Sequence, residues 1–107
     1  LSRFRDSGIT DDSVIREFVQ VFLSVSPDHI GQLKKQAVDG ENAQWCEIAH
    51  MLKGAAASLG AEQLALLCEK AEKSREATVS DRQSQVAAIE AAFAQVREEF
   101  IRLGLHS

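Results

Sequence analysis

His50 stands in the run Ala49-His50-Met51-Leu52-Lys53-Gly54, and its neighbours decide what an imidazole there could do. At about 100° per residue, Trp45, Ile48, Leu52, Ala55, Ala56 and Leu59 gather on one face of a helix, with Ala49 at its edge. His50 falls on the opposite side. Gly54 and Ala57, one and two turns further on, leave the surface beyond the ring without bulk. Lys53 adds an ammonium three residues after the histidine, and Glu47 a carboxylate three before. An exposed imidazole with a reference pKa near 6.5 is roughly three-quarters neutral at neutral pH, so one ring nitrogen is free to attack a phosphoryl group. Gly54 costs about 1 kcal/mol relative to Ala inside a helix, and close approach of a partner would account for that choice.

Other chemistries fit these residues less well. Glu47-Ile48-Ala49-His50 is a Glu-x-x-His, as in the di-iron sites of helical bundles. Such sites need a second copy of the motif and inward-facing glutamates, whereas His29 is preceded three back by Ser26, His106 by Leu103, and His50 points outward. Cys46 and His50, four apart, could supply two zinc ligands, but no second pair completes a tetrahedron. No metal site is therefore expected. Neither G-x-x-x-x-G-K-[ST] nor G-x-G-x-x-G occurs, which removes the common nucleotide-binding motifs. A nucleophile elbow is also missing, and no carboxylate within the same segment is placed to orient His50 as in a hydrolase triad.

The elements that must hold this histidine are helical. The 107 residues, 45% hydrophobic and 26% charged, suit one domain with a real core and place the chain far from disorder. A formal net charge of −4 gives no basic field for nucleic acid. No apolar run approaches the roughly 18 residues of a membrane span, and the N-terminus lacks a signal-peptide layout. A domain without direct membrane contact is expected. Cys46 and Cys68, both inside helical patterns, argue against a disulfide framework and for a reducing, cytoplasmic setting. The chain begins at Leu1, not Met, as an excised piece of a larger protein would, or a trimmed one.

Every clear period in the sequence is the helical one. Leu1 to Ser7 could form a short leading helix closed by Gly8. Thr10, Asp11 and Asp12 offer a cap and first-turn acids for a helix with the stripe Ile15, Phe18, Val19, Phe22 and Val25. Pro27 interrupts, yet the stripe resumes in phase at Ile30, Leu33 and Ala37, which predicts either one long helix kinked at Pro27 or two helices end to end. Asp39-Gly40 stops it. A helix from about Asn42 to Leu59 carries His50 and ends at Gly60, with Trp45 and Met51 as packing candidates. Another, from about Ala61 to Arg75, turns Leu64, Leu67, Cys68 and Ala71 inward. The last, from about Arg82 to Leu103 with Ser80 or Asp81 as cap, repeats Val86, Ile89, Phe93, Val96, Phe100 and Leu103 at spacings of three and four. The expected architecture is all-α: an up-down four-helix bundle with a short extra N-terminal helix, a single domain over 1–107. Charge runs such as Lys34-Lys35 and Arg97-Glu98-Glu99 read as solvated faces.

The run from Ala49 to Gly54, followed by Leu59-Gly60, Leu64, Cys68 and Ala71-Glu72, resembles the histidine phosphotransfer (HPt) domain family. That family's pattern is A-H-x-L-K-G, a Gly six residues on, and L-x-x-x-C-x-x-[LI]-E. The likeness spans residues 49–72; its one departure is Ala71, where a larger aliphatic is more usual. The resemblance implies a two-component phosphorelay carrier, not an enzyme with turnover of its own, although a parent hybrid sensor kinase would be one. His50 would accept a phosphoryl group from a receiver-domain aspartyl phosphate and pass it to another receiver. Lys53 would compensate phosphoryl charge, Gly54, Ala57 and Glu47 would belong to the docking surface, and Glu72 would hydrogen-bond the imidazole or remain a plain surface residue. No cofactor is implied, Mg²⁺ being expected on the receiver only, and the domain would act as a monomer. The alternative is a helical-bundle protein-interaction domain whose surface histidine is incidental.

Overall fold

A computed structural model describes residues 12–38, 42–74 and 77–105 of the chain. It contains helices α1 (Asp12–Lys35), α2 (Ala43–Ser58), α3 (Glu62–Lys73) and α4 (Val79–Arg102), and the described residues include no strand. Each helix packs on the next and α1 also packs on α4, which closes the up-down bundle into a ring. The expected leading helix over Leu1 to Ser7, the Thr10-Asp11 cap, the Asp39-Gly40 stop and the end at Arg75 lie outside the described residues.

Local chemistry sets the helix ends. Asn42 caps α2: its side-chain oxygen accepts from the Trp45 amide at 3.1 Å, while its Nδ2 donates to the Gln36 carbonyl at 3.2 Å and ties the start of α2 to the end of α1. At the other end Gly60 adopts φ 76, a left-handed conformation that favours glycine. The amides of Ala61 and Gly60 then reach back to the carbonyls of Ala56 and Ala57, closing a Schellman motif. Gly104 repeats the device after α4, with φ 71 and the Leu105 amide on the Phe100 carbonyl.

One boundary differs from expectation, and at Pro27 the first of the two expected alternatives holds. Helix α4 starts at Val79 and not near Arg82, because Thr78, rather than Ser80 or Asp81, is the cap; its hydroxyl accepts from the Asp81 amide at 3.1 Å. Asp81 lies in the first turn, where its charge complements the helix dipole. Across Pro27 the chain forms one continuous α1. Pro27 itself is exposed, on the outer side of that helix.

The core joins Val19, Phe22 and Leu33 of α1, Trp45, Leu52 and Ala56 of α2, Leu64 and Cys68 of α3, and Ile89 and Phe100 of α4. Burial contributes about 1.5–3 kcal/mol for each large aliphatic or aromatic side chain. Phe22 meets Phe93 in a tilted pair at 5.6 Å and Phe100 edge-on at 6.2 Å. The α1 stripe is narrower than its sequence suggests: Phe18 and Val25 are exposed, and Ser26 takes an inward place between Phe22 and Ile30. Among the described residues the main packing of α1 is against α2 and α4, and Phe18 and Val25 lie off that line. Met51 is exposed, as is Leu103 at the end of α4, whereas Leu67 and Val96 pack half-buried at the core edge.

Candidate functional site

Helix α2 presents two faces with different chemistry. On its inner face Trp45 is fully buried and its indole Nε1–H donates to the Ala71 carbonyl near the end of α3, at 2.8 Å. Five residues on, His50 projects from the outer face with its side chain 67% exposed. Its Nδ1 lies 2.8 Å from one carboxylate oxygen of Glu72 and 3.2 Å from the other. Glu72 follows Ala71 directly, so adjacent residues of α3 contact the indole inside and the imidazole outside.

Lys53, one turn after His50, stands 3.6 Å from the other side of the same carboxylate. That separation is an ion pair without a hydrogen bond. Partial burial pushes the Glu72 carboxyl up, but the hydrogen bond with His50 and the positive charge of Lys53 and His50 outweigh it and hold the group below its ordinary value. An ionised carboxylate only accepts, so Nδ1 of the neutral imidazole carries the proton and the Nε2 lone pair is left on the solvent side. This carboxylate comes from α3. No spacing within α2 could have supplied it.

Gly54 is exposed one turn beyond His50, and a Cβ built there meets no atom within 4 Å. Ala57 is half-buried behind it, and Glu47 is exposed one turn before the histidine. Glu47 lines a shallow groove between α1 and α2 together with Gln32, Gln36, Gln44 and Met51. Five of the residues singled out in the sequence, His50, Lys53, Gly54, Ala57 and Glu47, thus lie along one exposed side of α2, and Glu72 joins them from α3.

Cys68 is fully enclosed, and burial pushes its thiol up to about 12, which leaves it protonated at neutral pH. Among the described residues no group of three or more His, Cys, Asp or Glu is placed to hold a metal ion. None of their helices is long and apolar enough to cross a membrane.

A residue absent from the sequence-level site is Arg82. It is fully buried in the first turn of α4, donates to the Val38 and Ser74 carbonyls, and sits 5.2 Å from the centre of the Trp45 ring. Its position was legible: Arg82 precedes Val86 by four and Ile89 by seven, on the same inward seam. The missing signal was a partner, because the carbonyls it binds come from two interhelical connections distant in sequence.

The Hpt domain family model matches residues 17–99, most of the chain, and the chain belongs to that family. Hpt domains are helical-bundle phosphotransfer carriers of two-component phosphorelays and interact with response-regulator receiver domains. No curated protein and no solved structure matches the chain.

Proposed function

We propose that His50 is the phosphoacceptor and that the chain takes a phosphoryl group from a receiver-domain aspartyl phosphate and hands it to a second receiver. The observation that carries this reading is the pairing of Nδ1 with Glu72, which turns the nucleophilic nitrogen outward on a surface cleared of bulk. Nε2 attacks the phosphorus in line, the N–P bond forms, and the P–O bond to the aspartate breaks with its electron pair leaving on the carboxylate. The Nδ1 proton stays in place, and the positive charge gained by the ring is compensated by Glu72. Reversal of these steps onto a second aspartate returns neutral His50.

Lys53 makes a loose contact with Glu72 and can turn toward the transferring oxygens, where an ammonium lowers the cost of developing charge. Gly54, Ala57 and Glu47 belong to the docking surface. Mg²⁺ and the acceptor aspartate come with the receiver, so this domain contributes a nucleophile and its electrostatics, without turnover of its own. A monomer suffices, because the site draws on α2 and α3 of one chain, and a cytoplasmic setting suits partners of this kind.

The test is incubation with a phosphorylated receiver. The expected product is acid-labile and alkali-stable and is absent from His50→Gln; label that persists in that variant refutes the assignment.

A further inference from the structure

The end of α3 is held from three directions, and the side chain between the fastenings is Glu72. At residue 71 the carbonyl accepts the buried Trp45 indole N–H at 2.8 Å. At residue 74 the carbonyl accepts from the buried Arg82 guanidinium at 3.2 Å, and the Ser74 hydroxyl accepts from the Gln85 amide at 2.7 Å. The same hydroxyl donates to the Lys70 carbonyl at 2.8 Å, which keeps the last turn wound. Carbonyls near a helix C-terminus lack intrahelical partners, and an end secured only by water frays. Here the Ala71 carbonyl keeps one short-range bond, from the Ser74 amide at 3.2 Å, and buried donors from α2 and α4 supply the rest.

Arg82 and Trp45 are themselves in contact, guanidinium against ring, and Arg82 also holds the Val38 carbonyl in the connection between α1 and α2. Trp45 and His50 share α2, while Ala71 and Glu72 are neighbours on α3. The inner contact therefore fixes the distance and rotation at which the outer contact can form.

We infer that Trp45 and Arg82 are positioning residues for the phosphoacceptor: by clamping the last turn of α3 they hold Glu72 against Nδ1 of His50 and so select the imidazole tautomer that faces Nε2 outward. The role of that tautomer in transfer rests on the function proposed above, but the tautomer itself can be read on protein that has never met a receiver.

The decisive variant is Trp45→Phe, which keeps an aromatic ring beside the guanidinium and deletes the indole donor together with part of the buried ring volume. ¹⁵N chemical shifts of the His50 ring report which nitrogen bears the proton, and carboxyl ¹³C shifts report the Glu72 titration. In Trp45→Phe the Nδ1–H population of His50 should fall, the Glu72 midpoint should rise toward that of an ordinary carboxyl, and transfer should slow roughly two- to tenfold, as expected for one weakened hydrogen bond. Ile89→Val, a truncation in the α4 core, is the control for general loosening: it should lower the thermal midpoint and leave the tautomer as in the wild type.

A folded Trp45→Phe protein with wild-type tautomer and Glu72 titration overturns the inference, as does an equal tautomer change in Ile89→Val. If Trp45→Phe does not fold, Arg82→Lys decides by the same two signals, since it keeps the charge and loses the two-pronged donation. Failure of receiver-dependent labelling would instead strike the proposed function and leave the tautomer result standing.

Discussion

Two polar clusters grip the end of α3 from opposite sides of α2, and they are built by opposite rules. Inside, the fully buried side chains of Trp45 and Arg82 donate to backbone carbonyls. Outside, His50 and Lys53 meet a carboxylate, with 67% and 32% of their side chains exposed. A buried donor lost from a carbonyl leaves that oxygen unsatisfied at about 1–3 kcal/mol, whereas an exposed ion pair is worth at most about 1 kcal/mol. The buried cluster is therefore suited to fixing geometry and the exposed one to changing partners, which a group that alternately gains and loses a phosphoryl must do.

The sharpest break between the two comes from removing the reactive group. His50→Gln should abolish phosphorylation outright and shift the thermal midpoint by only a few degrees, since about 1 kcal/mol corresponds to roughly 4–8 °C in a domain of this size. Receiver-dependent labelling alongside thermal unfolding checks both halves. A large loss of stability would mean that the exposed cluster holds the fold after all.

The converse substitution is Arg82→Met, which retains the stem and deletes the donors. The Val38 and Ser74 carbonyls lose their partner, so a loss of about 2–4 kcal/mol is expected, a fall in midpoint on the order of 10–20 °C. Calorimetry measures it. A drop no larger than that of His50→Gln would remove the distinction between the clusters.

This division also explains what the sequence disclosed. The face of α2 was legible because exposure and burial alternate with the helical period, so His50, Gly54 and Ala57 could be placed from residues 45–59 alone. Gly60 as a stop was legible because few residues adopt a positive φ easily. By contrast, the pairing of His50 with Glu72 and of Trp45 with Ala71 depends on how α2 and α3 are rotated against each other, which no local pattern encodes. Phe18 and Val25 are a related case: the stripe on α1 is wider than its contact with α2 and α4. Thr78 lost to Ser80 and Asp81 as expected cap only because several capping residues stood in a row, and the inward seam at Arg82 drew the helix start too late.

Gly54→Gln separates docking from folding on the exposed side. A Cβ there meets nothing within 4 Å, and replacing Gly by a better helix former should add up to about 1 kcal/mol of stability. The same side chain obstructs approach to His50, so transfer from a receiver should be lost or strongly reduced with an unchanged or higher midpoint. Normal single-turnover rates would show that the cleared surface has no role.

Lys53→Ala should slow transfer without ending it, because His50 remains the nucleophile. One charge-assisted contact at a partly exposed site is worth about 1 kcal/mol, rising to about 3 in the closed complex with the receiver, a rate effect of roughly five- to a hundredfold. Lys53→Arg should retain more activity than Lys53→Ala, though not all, since a planar guanidinium presents its charge differently. Rates measured at two ionic strengths decide it; three proteins reacting alike would reduce Lys53 to a solvated surface residue.

The smallest effect expected is the acid dependence of the exposed cluster. Glu72 titrates below the ordinary value of 4.5 in the folded protein because His50 and Lys53 favour its charged form more than partial burial disfavours it. A carboxyl whose folded pKa is depressed binds fewer protons folded than unfolded between the two pKa values, so stability rises with pH across that window. Its contribution is complete above the unfolded value and disappears as pH falls through the lower folded one. At a side chain 23% exposed it should stay below about 1 kcal/mol. Urea unfolding of the wild type and Glu72→Gln from pH 3 to 7 should show two curves that separate slightly near neutrality and converge at the acid end. A gap that persists unchanged to pH 3 would mean that the variant loses packing and not the ion pair, and the electrostatic account of the His50, Lys53 and Glu72 cluster would fail with it.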